Sequence, residues 1–192
     1  MIGIIVDGPG DFAAFQARFK GGVRVLKTDG PRGHDVTAEV IVAAAKKQIT
    51  MLRDLGCRNI IIVTDYENRS ITYQQFVEQL NQAIFSMQID IPVRVASPNI
   101  MIENWYLSDI EQLSRHFTFI KDSLQQKRYE GKHGKNELRK LFKKGKKGYD
   151  YNEVFHGPKL FPIVRTTVGE TNSISFHNFM NAIRQCRLAC RT

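Results

Sequence analysis

The sequence has 192 residues, of which 42% are hydrophobic and 24% are charged. This length usually corresponds to one domain, and this composition is typical of a protein that folds around its own core, which excludes disordered and fibrous classes. The longest aliphatic run, Ile60 to Val63, is far shorter than the roughly 20 residues of a membrane-spanning helix. Three cysteines are too few and too scattered for a disulfide framework, so we expect a cytoplasmic protein without membrane association.

The net charge of +9 is concentrated in one segment. Residues 127–147 contain ten lysines and arginines and two glutamates, a net charge of +8, and the rest of the chain is nearly balanced. A clustered positive patch is the electrostatic signature of a nucleic-acid backbone partner, although charge runs are often only the solvated face of a helix. The candidate nucleic-acid-binding residues are Lys132, Lys135, Arg139, Lys140, Lys143, Lys144 and Lys159.

The first third of the chain alternates between strand and helix signals. Ile2 to Val6 is a β-branched run that ends in a glycine and proline cluster, and phenylalanines at helical spacing follow it. Val23 to Leu26 predicts a second short strand. A long amphipathic helix is then predicted from Val36 to Leu55, and it stops at Gly56.

The middle of the chain continues the same alternation. The run Ile60 to Val63 is apolar on both faces, as expected for a central strand covered by helices. A helix is predicted from Tyr73 to Met87, a strand from Ile91 to Ala96, and a helix from Ile102 to Leu113. Repeated βα units imply an α/β fold with a mostly parallel central sheet flanked by helices.

The pattern changes after Leu113. Beyond the basic segment, we expect a loop around His156 to Pro158, an apolar stretch from Leu160 to Val164, and a final helix that carries Ile174 to Ile183. The predicted organisation is an α/β core over residues 1–113 and a basic helical extension over residues 114–192, packed on the same domain.

Acidic residues follow three of the predicted strands. Asp7 and Asp11 come after the first strand, Asp65 and Glu67 after the hydrophobic central strand, and Glu103 after the strand that ends near Ala96. Each acid has a local structural explanation, since Asp11 could simply cap the following helix. Together, however, acids at one sheet edge repel each other unless a cation neutralises them, and hard oxygen ligands select Mg²⁺ or Mn²⁺. These five residues are therefore the candidate metal ligands.

The spacing of these acids supports a metal site. If strand geometry persists, Asp65 and Glu67 leave the same face, and Asp7 and Asp11 meet across a tight loop and a helix start. Two such pairs could hold two ions, an arrangement suited to in-line displacement at phosphate.

Three motifs resemble the TOPRIM fold, in particular the small stand-alone TOPRIM-like nucleases of bacterial defence systems. They are Asp7-Gly8-x-x-Asp11 after a leading strand, Asp65-x-Glu67 after a hydrophobic strand, and the stretch from Met101 to Asp109. The resemblance covers about residues 1 to 165. It implies a TOPRIM/Rossmann-like fold, Mg²⁺-dependent nuclease activity of the overcoming-lysogenization-defect type, a role in anti-phage defence and an ATPase partner.

By that likeness, Asp7 takes the position of the family's first acidic residue, and Asp65 and Glu67 take its acidic pair. The family's first acid is usually glutamate and its pair is usually two aspartates, so both positions differ by one methylene group. Lys132, Lys135 and Lys159 could each stabilise charge that develops on a phosphate. The predicted catalytic residues are Asp7, Asp65, Glu67 and Lys135.

The leading hypothesis is a metal-dependent nuclease that hydrolyses phosphodiester bonds of DNA or RNA. One alternative is a catalytically inactive, TOPRIM-like regulatory or nucleic-acid-binding subunit. Another is a phosphohydrolase of small molecules, which a long basic segment does not favour because a compact substrate does not need it.

Overall fold

The fold is a parallel sheet between helical layers. The computed structural model describes residues 1–31, 33–120 and 127–190. Its strands are β1 (Ile2–Val6), β2 (Val23–Lys27), β3 (Asn59–Val63) and β4 (Val93–Ala96). Within the described residues they form one sheet in the order β2-β1-β3-β4, and each neighbouring pair is parallel. The predicted α/β class with a parallel central sheet is confirmed.

Helices connect the strands and make up most of the chain after β4. They are α1 (Pro9–Arg18), α2 (Ala38–Asp54), α3 (Tyr73–Ser86), α4 (Glu103–Tyr106), α5 (Ile110–His116), α6 (Gly134–Gly145), α7 (Glu153–Leu160), α8 (Thr166–Asn172) and α9 (Ile174–Ala189). The helices predicted before β4, and the final helix, are confirmed.

Both faces of the sheet are covered. On one face, Ile5, Ile60 and Ile62 pack with residues of α2, and on the other, Ile4 and Ile61 pack with α1 and the helices that follow β4. The complete burial of β1 and β3 explains why their sequences are continuously apolar rather than alternating. Helix α9 contacts β3 and β4, so the last helix of the chain lies on the sheet.

The single helix predicted from Ile102 to Leu113 is wrong, because this run is divided into three segments. Helix α4 gives way to a 3₁₀ turn at Leu107–Asp109, and α5 begins at Ile110. Asp109 has non-helical backbone angles, and its side chain accepts a hydrogen bond from the Gln112 backbone N–H at 3.3 Å. An N-cap in the middle of the run ends one helix and starts the next, which hydrophobic periodicity alone does not reveal.

The loop predicted around His156 to Pro158 is also wrong, since these residues lie inside α7. Pro158 removes the hydrogen bond that would reach the carbonyl of Val154, and Val154 is exposed, so water can satisfy that carbonyl. Gly157 lies here because α7 packs closely on α1. A Cβ at this position would stand 3.3 Å from the Ala14 Cβ.

No helix in the part of the chain that the structure describes is long and apolar enough to cross a membrane. The three cysteines carry free thiols, and Cys57 and Cys186 are buried.

An ion pair between a buried carboxylate and a partly exposed arginine joins the start of α5 to the start of α8. Asp109 is fully buried, and both of its carboxylate oxygens accept hydrogen bonds from the Arg165 guanidinium, at 2.7 and 2.9 Å. Burial by itself would raise the pKa of Asp109, but the hydrogen bonds from Arg165 and from backbone N–H groups lower it overall. The carboxylate is therefore better stabilised in the folded chain than in the unfolded one.

Asp109→Ala should lower the free energy of unfolding at pH 7 by about 2 kcal/mol, because it removes a charge-assisted contact and a helix cap together. Since the folded-state pKa lies below the ordinary value of 3.8, the contribution of Asp109 is present above that pH. It is lost as the pH falls through the folded-state pKa, so the difference from wild type should narrow in acid. Urea unfolding between pH 2 and 7 measures both effects.

Glu111→Ala is the matched control, because Glu111 is the exposed partner of the same arginine at 2.6 Å. An exposed ion pair contributes little, so this variant should stay close to wild type. Equal losses in the two variants would contradict a special role for the buried carboxylate.

Candidate metal and phosphate site

The site lies where the direction of the strand order changes. From β1 the chain continues outward to β2 on one side, and the next strand, β3, pairs with β1 on its other side. In open parallel sheets, this switch point leaves a crevice beyond the carboxyl ends of the two strands, and ligands bind there. A cavity of about 120 Å³ opens at this position, and Asp7 and Asp65 line it.

All five predicted acids line this one cavity. They come from the ends of β1 and β3, from the first turn of α1 and from the first residue of α4: Asp7, Asp11, Asp65, Glu67 and Glu103. Parallel strands end at the same edge of the sheet, which is why residues nearly 100 positions apart meet. The sequence prediction that these acids converge agrees with the structure.

Asp7 directly follows β1 and is held from the neighbouring strand. The hydroxyl of Thr64 donates a hydrogen bond of 2.6 Å to Asp7 Oδ2. Thr64 itself is buried and directly follows β3, so the contact joins the ends of the two central strands. The position of the Asp7 carboxylate is therefore set by the sheet rather than by a surface loop.

Asp65 and Glu67 do not lie on an extended strand, so the expected strand spacing is wrong. Strand β3 ends at Val63, and Glu67 and Asn68 have positive φ angles of 55° and 53°. The turn is held by the loop after β4: the Glu67 backbone N–H donates to the Ile100 carbonyl at 2.9 Å. Both carboxylates reach the cavity because the chain turns over it.

The loop after β4 also positions Asp65. The Ile102 backbone N–H donates to Asp65 Oδ1 at 3.1 Å. Ile100, two residues earlier, has a φ of 91°, a conformation that a β-branched residue rarely adopts. Ile100 belongs to the loop whose backbone contacts Glu67 and Asp65, and strained backbone clusters at functional sites.

Asp11 lies in the first turn of α1, but it is not the helix cap that the local explanation proposed. The N-cap residue is Gly8, which has no side chain to form a cap. Gly8 allows a close approach, since a Cβ there would stand 3.3 Å from Asp11 Oδ2. The carboxylate instead faces the cavity, where the N-terminal end of α1 favours negative charge.

The electrostatics of the acids follow from their crowding. Asp11 and Asp65 are partly buried, and both line the cavity. Burial, followed by repulsion from Glu103 and Asp7, raises the pKa of Asp11 to about 8. Burial and repulsion from Asp11 likewise raise the pKa of Asp65 well above its ordinary range. Without a cation, the pocket favours protonated acids.

Glu103 is the most deeply buried of the acids, with 2% of its surface exposed. The hydroxyl of Tyr151 donates to Glu103 Oε1 at 3.0 Å. Burial raises the pKa of Glu103, although Lys135 and the Tyr151 hydroxyl act in the opposite direction. Tyr151 is a contributor that sequence reasoning missed, because it lies 48 residues further along the chain.

Lys135 is the one lysine of the three considered for phosphate stabilisation that lines the cavity. It forms an ion pair with Glu153, the first residue of α7. Burial acts to lower the pKa of Lys135, but the surrounding carboxylates outweigh it and the pKa is raised. Lys132 and Lys159 are exposed and lie outside the cavity lining, and the Lys159 ammonium lies 3.4 Å from the centre of the Phe155 ring.

Close packing of α6 against α4 places Lys135 next to the acids. Helix α6 begins at Gly134, where a Cβ would stand 2.8 Å from the backbone nitrogen of Asn104. The Asn104 side chain in turn donates to the carbonyls of Lys132, at 2.9 Å, and Tyr129. The start of the basic helix is therefore fixed against α4, next to Glu103.

Glu153 and Arg69 are two further lining residues that sequence reasoning missed. Glu153 packs on Gly10 of α1, where a Cβ would stand 3.0 Å from Glu153 Cγ. Arg69 donates to the carbonyls of Gly33, His34 and Val36 and lies 4.1 Å from the centre of the Phe76 ring. The only sequence signal for either residue was its charge, since both depend on contacts between distant segments.

The remaining basic candidates lie outside the cavity on the surface. Arg139, Lys140, Lys143 and Lys144 are exposed on α6, and Lys140 pairs with Glu137 at 2.7 Å. The buried face of the helix consists of Gly134, Leu138 and Phe142. The basic segment thus forms an amphipathic helix that begins at the cavity and runs away from it.

The five predicted carboxylates line the pocket together with the cationic side chains of Lys135 and Arg69. Carboxylate oxygens are the ligand type that hard divalent cations prefer, so the acids fit such a cation. Among residues 1–31, 33–120 and 127–190, no three histidine, cysteine, aspartate or glutamate side chains stand in a ready-made coordination shell. The five acids share one cavity without forming a coordination shell.

Comparison with protein-family models, with curated proteins and with solved structures finds no match to this chain.

In a chelator, Asp11→Asn should be more stable than wild type at pH 8, on the order of 2 kcal/mol, because it removes a charge that the pocket disfavours. The pKa of Asp11 is about 8 in the folded chain and 3.8 ordinarily. Wild-type stability should therefore fall as the pH rises through that window, and the two proteins should converge near pH 4. Chemical unfolding at several pH values measures this.

Adding Mg²⁺ at pH 8 should stabilise wild type more than Asp11→Asn. Glu78→Gln, which neutralises an exposed acid on α3, is the control and should respond to pH and Mg²⁺ as wild type does. A wild-type stability that does not change between pH 4 and pH 8 would contradict the crowding of the acids.

Proposed function

We propose that this protein is a metal-dependent hydrolase of phosphodiester bonds in nucleic acid. The observation that supports it most is the convergence of Asp7, Asp11, Asp65, Glu67 and Glu103 at the switch point of the sheet, with raised pKa values for three of them. Stacking several carboxylates in a half-buried pocket is unfavourable for the bare protein. A bound cation would offset that cost and turn it into affinity for metal.

The five acids would hold Mg²⁺ or Mn²⁺. A bound divalent cation supplies positive charge to the phosphate oxygens and lowers the pKa of water for attack. The chain's own contribution is to fix the acids: Thr64 holds Asp7, the loop after β4 holds Asp65, and Tyr151 holds Glu103. The catalytic set in this proposal is Asp7, Asp65, Glu67 and Lys135.

Lys135 is the cationic side chain of the site. Its ion pair with Glu153 keeps the ammonium at the cavity while the neighbouring acids keep it charged. In that position it donates hydrogen bonds to the phosphate oxygens that gain charge during hydrolysis. Glu153 is a positioning residue in this account, because it acts through Lys135.

The basic helix argues for nucleic acid as the substrate. Helix α6 begins at Gly134, the residue before Lys135. Its exposed side carries four further cationic side chains. A small phosphate ester would be enclosed by the cavity and would not reach this surface. A polyanion, in contrast, has one phosphate at the pocket and others along the helix.

The resemblance to TOPRIM-like nucleases extends this proposal. In that context the protein acts in the cytoplasm as an effector of anti-phage defence, alongside an ATPase partner. These points rest on the three short motifs around Asp7, Asp65 and Glu103.

Asp65→Asn should lower cleavage of a mixed panel of DNA and RNA by about 100-fold or more with Mg²⁺ or Mn²⁺, because it removes a central acid without changing size. Glu78→Gln, an exposed acid on α3, should cleave as wild type does. Gel analysis of end-labelled substrates, with a chelator as the blank, measures the loss.

The same panel separates the alternatives. If wild type leaves every nucleic acid intact but retains salt-sensitive binding, the protein is a regulatory or binding subunit, and the hydrolase proposal is wrong. If wild type hydrolyses a small phosphodiester and ignores polymers, the basic helix has another role.

A further inference from the structure

Three basic residues on α6 form a row that starts inside the cavity. Lys135, Arg139 and Lys143 are spaced at i, i+4 and i+8, so they lie on one inclined ridge of the helix. Each step along the helix axis is about 6 Å, from a rise of about 1.5 Å per residue. This is comparable to the separation of successive phosphates along one extended nucleic-acid strand.

The two ends of the row differ in depth. Lys135 is half-buried and lines the cavity, whereas Arg139 and Lys143 are exposed. Lys143 is 3.5 Å from Asp150, a loose contact between two exposed side chains that a phosphate can displace. The row therefore leads from the acidic pocket outward to the protein surface.

The helix that carries the row is held rigidly. His133 caps its N-terminus, and Leu138 and Phe142 are fully buried on its inner face. The Phe142 ring lies 4.8 Å from the ring of His156 in α7, centre to centre. The spacing of the row is thus fixed before any ligand binds, which lowers the entropic cost of holding a strand.

The other exposed lysines of α6 point in a different direction. At about 100° per residue, Lys140 lies roughly 100° around the helix from Arg139, and Lys144 lies the same angle from Lys143. Lys140 is also occupied by Glu137, at 2.7 Å. The flanking pair Lys140 and Lys144 carries the same charge as Arg139 and Lys143, but it does not continue the line from the cavity.

The shape of the cavity favours a single strand over a duplex. The acids line a cavity of about 120 Å³, in which Glu103 is buried and the other four carboxylates are partly exposed. The nucleic-acid strand must bend towards the cavity for one of its phosphates to reach these carboxylates. A duplex resists bending, with a persistence length of about 150 base pairs, whereas a single strand bends freely.

We propose that the row Lys135–Arg139–Lys143 holds three successive phosphates of one nucleic-acid strand, with the first at the acidic pocket. This inference rests on the proposed function for its choice of nucleic acid, and it adds that the bound substrate is single-stranded where it meets the protein. The row sets the path of the strand, and the flanking lysines contribute only general attraction.

Two charge-matched double variants test the proposal. Arg139→Gln with Lys143→Gln removes two charges from the row, and Lys140→Gln with Lys144→Gln removes two from the flank. Fluorescence anisotropy with fluorescein-labelled 12-nucleotide oligo-dT, oligo-rU and a 12-base-pair duplex gives the affinities, in a chelator so that no cleavage occurs. Circular dichroism confirms that both variants are folded.

The row variant should bind the single strands about 10-fold more weakly than wild type at moderate salt, and the slope of log affinity against log salt should fall by about 1.4, or 0.7 for each lost phosphate contact. The flank variant should lose less than about threefold, with a smaller change in slope. The oligo-dT and oligo-rU arms show whether DNA or RNA is preferred.

Equal losses in the two variants would overturn the proposal, because they would indicate a diffuse charge patch. Tighter binding of the duplex than of either single strand would overturn it as well. If wild type cleaves nothing but the row variant still loses more affinity than the flank variant, the hydrolase proposal is wrong and the proposed path of the strand stands. The two proposals therefore fail separately.

Discussion

The site depends on carboxylates that the parallel sheet brings into one pocket, where burial, and then their mutual repulsion, disfavours the charged forms. Parallel strands β1 and β3 end side by side, so residues just beyond them occupy one crevice whatever their distance along the chain. Asp7 and Asp65 lie there because of this topology, and Asp11 and Glu103 join them from the first turns of two helices. Burial and repulsion make the charged forms of these acids unfavourable, and the Lys135 ammonium offsets part of that cost.

The segment after β4 completes the pocket. Tyr151 bonds Glu103, Glu153 pairs with Lys135, and α7 packs on α1 through Gly10 and Gly157. These contacts add the Tyr151 hydroxyl, the Lys135 ammonium and the Glu153 carboxylate to the acids at the sheet edge. The same segment contains the basic helix α6, so one part of the chain contributes both to the pocket lining and to the basic surface beside it.

The acids could be identified from the sequence because two general rules of parallel sheets apply to it. Continuously apolar runs indicate buried parallel strands, and buried parallel strands share an edge. It failed where the outcome depended on contacts between distant residues. The helix after β4 is interrupted because Asp109 caps a new one and binds Arg165. In α7, Gly157 allows close packing on Ala14, and Pro158 lies within the helix where Val154 is exposed.

The sequence by itself determined the class of fold, the set of acids at the strand ends and the position of the basic segment, because these follow from periodicity and charge read locally. Only the tertiary structure decided that Lys135 enters the pocket while Lys132 and Lys159 stay outside, and that Arg69 and Glu153 belong to its lining. The physical reason is that a side chain's surroundings depend on which segments pack together. For Lys135 this is the contact of Gly134 with the backbone of Asn104, and it cannot be read from neighbours in the chain.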